Sequence, residues 1–133
     1  EIKSIPELDG AEGYDLVFCG FPVQTHSVPS QAQAFVKGLG KGQKVAFFST
    51  HGSLRGGILP KQAFENAIGL AAQATILGHF GCRGAVQPDL IEALMQKQEH
   101  RAWAEEALSA AGDPDKADLE GTQAWAKSML AKA

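Results

Sequence analysis

The stretch Tyr14-Asp15-Leu16-Val17-Phe18-Cys19-Gly20-Phe21-Pro22-Val23 decides the fold. Residues 14–20 of it make a short apolar run that ends on glycine, the pattern of a strand buried on both faces. Residues 44–49, Lys-Val-Ala-Phe-Phe-Ser, repeat the pattern. A third run covers residues 74–80, where β-branched Thr75 and Ile76 favour extended structure. Helical patterns separate the three. Pro29-Ser30 opens a helix that passes through Phe35 and Val36 and stops at Gly38 and Gly40. Proline suits a first turn and glycine a C-terminal end. A second helix is predicted over 59–70 and a long one over 89–110, with Leu90, Leu94, Ala107 and Leu108 among its apolar positions. Asp113-Pro114 interrupts the chain, and a last helix from about Asp115 carries Leu119, Ala126, Met129 and Leu130 on one face. The order β-α-β-α-β-α-α implies an α/β fold, an open parallel sheet with helices on both faces. Residues 1–5 read as the end of one further strand.

The whole chain sets the class. Its 133 residues suit a single domain, 1–133, and its 44% hydrophobic and 20% charged residues suit a globular protein with a real core. A formal net charge of -3 argues against nucleic acid, which calls for clustered Lys and Arg, and fits a mildly acidic protein meeting a basic partner. The two cysteines, Cys19 and Cys82, form neither a CxxC pair nor a zinc spacing, so a reducing, cytoplasmic setting is expected. No apolar run approaches the roughly 20 residues that span a bilayer, and the charged, polar start is not a signal peptide. The chain opens on Glu1 rather than Met, which leaves room for residues before it.

In an open parallel sheet, ligands bind outside the carboxyl ends of the strands. Three segments there are rich in glycine, hydroxyls and histidine: residues 20–29, residues 49–57 and residues 81–84. The helix-to-strand connections are plainer.

Here a resemblance becomes visible. Tyr14-Asp15, the apolar run and Gly20-Phe21-Pro22 resemble the third strand and a flavin loop of the flavodoxin family. Lys44 to Gly52 resembles the fourth strand and second flavin loop. Arg101-Ala102-Trp103-Ala104 and Gly112-Asp113-Pro114-Asp115 resemble the C-terminal extension of small bacterial members. The resemblance implies a flavodoxin-like sheet in the order 2-1-3-4-5. On it, the three clear strands are the third to fifth, and the first strand, its Ser/Thr-rich phosphate loop and the first helix have no counterpart in these residues. It implies FMN as cofactor and Pro22, Val23, Gln24, Thr25, His26, Ser49, Thr50, His51, Gly52, Arg55 and Gly56 as the residues flanking the isoalloxazine ring. The chemistry is reasonable on its own terms. A flat ring needs two loops to hold it, glycines at 52, 56 and 57 let backbone N–H groups come close, and Pro22 stiffens the first loop. The protein then tunes a cofactor that carries the electrons.

Three functions stay open on this reading: an FMN electron carrier serving redox partner proteins, a flavin-dependent reductase of a small acceptor such as a quinone or tetrapyrrole, and a flavin-free interaction domain. Without the phosphate loop, FMN binding is expected to be weak. The exposed edge of the first strand is expected to recruit a second copy or an N-terminal complementing segment.

Simpler readings compete at each position. His26, His51 and His79 could gather as metal ligands, but no carboxylate or cysteine is spaced to complete a site, so no metal is expected. Hydrogen bonding of His26 or His51 to flavin is the better alternative. Cys19 reads as a buried structural thiol, and Cys82 as packed or incidentally exposed, with Arg83 beside it able to activate a thiol. Residues 38–44 follow a helix and lack Gly-Lys-Ser/Thr, so they form a helix stop rather than a phosphate loop. Ser49 and Ser53 lack the Gly-x-Ser-x-Gly elbow of a nucleophile. Trp103 and Trp125 are expected to pack, and Arg55 either touches a ligand or partner or is a solvated charge.

Overall fold

A computed structural model describes residues 1–24, 26–54 and 57–133. Its strands are β1 (Val17–Pro22), β2 (Lys44–His51) and β3 (Thr75–Arg83), parallel and in that order. Their apolar centres drive this arrangement: Cys19, Phe21, Val45 and Phe47 are buried with Ala63, Phe64 and Ala67. Helix α1 (Ser30–Lys37) and helix α2 (Ile58–Leu70) supply that packing on one face. Phe21 meets Phe47 and Phe64 edge-on, at centroid separations of 6.3 and 6.0 Å. Helix α5 (Lys116–Lys132) lies on the other face, where Trp125 touches Phe18 and Phe80, each at 5.7 Å. Asp115 caps α5 by accepting from the Asp118 N–H at 2.9 Å.

Period-2 alternation fixes what each strand residue sees. Along β2, Val45, Phe47, Ser49 and His51 are buried, whereas Phe48 is exposed and Thr50 half-buried. The α5 face is thinly covered. Phe18 and Phe48 remain 36% and 39% exposed, which marks the β1–β2 half of that face as open.

Several expectations need correction. The predicted helix over 89–110 is a hairpin of α3 (Pro88–Met95) and α4 (Arg101–Leu108), joined by a single 3-10 turn, Gln98–His100. A single long helix could not fold its apolar stripe back on itself; the hairpin buries Ile91 against Ala104 and Ala107, while Leu90 and Leu108 stay exposed. On α5, Leu119 and Leu130 are exposed, and Met129 is the buried residue. Residues 1–5 do not form a strand; a 3-10 turn, Ile5–Glu7, begins there, closed by Ser4 and Glu7. Strands β2 and β3 also run past their apolar centres, because Ser49, Thr50 and His51 pair with Gly81, Cys82 and Arg83. Most of the segment 81–84, expected as a loop, is therefore strand.

Candidate functional site

The first loop is tied to the carboxyl end of β2. The Val23 N–H donates to the Thr50 carbonyl at 2.9 Å, joining the first loop to the end of β2. Gln24 and Ser27 close a tight turn through reciprocal backbone bonds of 3.3 and 3.1 Å, leaving His26 exposed at its tip. The Val28 N–H then donates to the Asn66 side chain on α2 at 3.0 Å. Asn66 went unnoticed in the sequence because one amide on a helix carries no motif.

The second loop is held more tightly. The Ser53 carbonyl accepts from His51 Nδ1 at 2.9 Å and from Arg83 Nε at 3.1 Å. A carbonyl can only accept, so His51 carries its proton on Nδ1. One Nη of Arg83 donates to the Gly52 and Glu106 carbonyls at 3.1 and 2.8 Å and to Ser109 Oγ at 2.8 Å. Gly52 sits directly beneath the helical hairpin: a Cβ there would stand 2.5 Å from Val86 Cγ2 and 3.4 Å from Trp103. Arg83 in the sequence drew notice only as a neighbour of Cys82, since bonds to backbone carbonyls leave no trace in composition.

The expected ring-flanking residues thus fall into separate environments. Pro22, Gln24 and Thr50 line one concave surface of about 890 Å³, which continues along the outer edge of β1 past Phe18, Phe48 and Tyr14. Val23 is half-buried in the bond to Thr50. Ser49 and His51 are buried and face α2, and Gly52 lies under α4. Thr25, Arg55 and Gly56 lie outside the described residues. The three histidines do not gather: His26 is exposed, His51 is buried, and His79 stands in mid-strand stacked on Phe64 at 4.4 Å. Among the described residues, the acidic group that could hold a cation is Asp113, Asp115 and Asp118, and the last two form the α5 cap.

Among the described residues, the charged side chains of the concavity are Glu1 and Lys3. The Tyr14 hydroxyl donates to the Glu1 carboxylate and, with Lys3, holds Glu1 below the usual carboxylate range, while Glu1 pushes the phenol up. Cys19 and Cys82 are both buried, and burial pushes the Cys19 thiol up to about 11. An activated thiol at position 82 is not what this burial favours. Ser49 Oγ, also buried, has no hydrogen-bond partner among the described residues.

The concavity is within the size range of small-molecule sites, roughly 300–1,000 Å³. Pro22, Gln24 and Thr50 at its mouth, with aromatic walls behind, suit a flat ring. A phosphate is served less well by the described residues, among which Lys3 is the one side-chain cation of the lining and is paired with Glu1 at 2.9 Å.

A parallel α/β sheet with a concave, aromatic-walled surface at the carboxyl ends of two adjacent strands is the architecture of a nucleotide- or flavin-binding α/β protein. The model of the flavodoxin domain family matches residues 1–127, and the chain belongs to that family. No curated protein matches it. Among the described residues, no helix is long and apolar enough to cross a membrane.

Proposed function

We propose that this protein is an FMN-binding electron-transfer flavoprotein. The observation that carries the reading is the bond from Val23 in the first loop to the Thr50 carbonyl of β2, which ties that loop to the carboxyl end of the adjacent parallel strand, in a chain of the flavodoxin family. A bound flavin supplies the electron-accepting ring. The chain would contribute backbone N–H groups of the loops at 20–28 and 49–57 to orient the ring, with the Thr50 hydroxyl and Gln24 amide as polar contacts at the mouth. The acidic stretch of residues 1–15, with Glu1, Glu7, Asp9, Glu12 and Asp15 against Lys3, favours a redox partner with a basic face. Two buried, unbridged cysteines favour a reducing cytoplasm.

The outer edge of β1 supports a second element of the reading. Among the described residues β1 pairs with β2 alone, so its other side offers unmade backbone bonds beside an apolar groove. We place there an added strand, from a second copy or from a separate complementing segment.

Titration of FMN against its own fluorescence tests the cofactor, with amide shifts mapping the contact. Expected are quenching and shifts in both loops. Shifts confined to residues outside both loops would overturn the site. Light scattering over a concentration series tests the edge, with growth in mass expected for the chain alone.

A further inference from the structure

We infer that Arg83 is a positioning residue that locks the second loop to helix α4, so that loop and helical hairpin behave as one body over the end of β2. Arg83 is the last residue of β3 and stands opposite His51, the last of β2. From there its guanidinium reaches the Gly52 and Ser53 carbonyls on one side, and the Glu106 carbonyl and Ser109 hydroxyl of the α4 C-terminus on the other. A rigid fork with several donors can bridge two segments at once, which a lysine ammonium on a flexible stem does less well. A cation at a helix C-terminus also meets the negative end of the helix dipole and its unsatisfied carbonyls.

All four acceptors are electrically neutral. The guanidinium therefore keeps its full charge beside the second loop. A Cβ at Gly52 would overlap Val86 and touch Trp103 and Ala107, so the backbone bonded by Arg83 runs close beneath the hairpin. Residues 52 and 53 are thereby held before any ligand arrives, and preorganisation of this kind lowers the entropic cost of binding.

The consequence for cofactor binding rests on the flavin reading above; the lock itself does not. Hydrogen exchange on the chain without flavin separates the two. In R83M, amides of residues 52–54 and 106–111 should exchange at least about tenfold faster, the scale of one lost hydrogen bond, while β1 and α1 keep their protection. R83K should recover part of the protection. If the wild-type chain binds FMN through the second loop, R83M should release it about tenfold faster. Wild-type exchange rates in R83M, or an acceleration spread evenly over the whole chain, would overturn the lock. If R83M does not fold, R83K decides: full wild-type protection of residues 52–54 with a single ammonium overturns the fork argument, and local acceleration supports it. Failure of the wild type to bind flavin, with local acceleration in R83M, would sink the cofactor reading and leave the lock standing.

Discussion

The two halves of the sheet are finished in different ways. Over β2 and β3 the carboxyl ends are closed: Arg83 and His51 pin the second loop, and Val86, Trp103 and Ala107 press on Gly52. Along β1 the structure is open, with Phe18, Phe48 and Tyr14 exposed beside the concavity. Both halves use the same parallel pairing, so backbone hydrogen bonds alone do not make the difference. What differs is whether a helix covers the face and whether a side chain ties the loop down. The closed half supplies a fixed wall and the open half an accessible one, a division of labour that a binding cleft requires.

The largest contrast is expected from truncating neighbours on β2 that face opposite sides of the sheet. Phe47 is fully buried, so Phe47→Ala should cost about 3–5 kcal/mol in urea unfolding. Phe48, next in sequence but exposed, should cost about 1 kcal/mol or less as Phe48→Ala. Equal losses would mean that the open face is covered in solution.

Cys19 tests whether β1, open at its edge, is closed on its inner face. Its thiol pKa stands at about 11 in the fold against 9.0 as the ordinary value. A folded pKa raised above the unfolded one stabilises the fold fully below pH 9, and that stability is lost as pH rises through the window to 11. The loss should amount to about 2–3 kcal/mol, read from urea midpoints across that window. Cys19→Ala should remove this part of the slope, and an unchanged slope would show that water reaches the thiol.

Two glycines sharpen the comparison at smaller amplitude. Gly52→Ala places a methyl 2.5 Å from Val86 inside the closed half and should cost about 1–3 kcal/mol. Gly20→Ala meets the Phe48 ring at 2.2 Å, a tighter approach on paper. That ring is half in solvent and can swing aside, so the cost should be the smaller of the two by thermal denaturation. The reverse order would place Phe48 under a cover. Smallest is Asp115→Ala, which removes the α5 cap and should cost about 1 kcal/mol. Hydrogen exchange should show fraying of the α5 N-terminus with no change at residues 52–54.

Much of this contrast was hidden from the sequence, and for identifiable reasons. The three parallel strands and their order were legible, because each carries an apolar run flanked by helical patterns. Their ends were not. Ser49, Thr50 and His51 look like loop by polarity, but the backbone goes on pairing with Gly81, Cys82 and Arg83, and composition does not record a ladder. The α3–α4 hairpin was read as one helix because the segment between Gln96 and His100 contains neither glycine nor proline. For the candidate site, the place of the two segments after strands was legible. The direction of each side chain was not. Period-2 alternation sends Ser49 and His51 towards α2 and Thr50 to the opposite face, and the phase depends on where the strand ends. Arg83 escaped because its partners are main-chain atoms and a serine from a distant helix.

The placement of the two tryptophans has a practical consequence. Trp103 lies over Gly52 in the closed half, and Trp125 lies between Phe18 and Phe80 on the open face. There are no others in the chain. Each half therefore carries its own intrinsic fluorophore, and replacing either one with phenylalanine leaves a protein whose emission reports on a single side. Unfolding, ligand arrival and partner docking can then be timed separately on the two sides of the same molecule, without an attached dye.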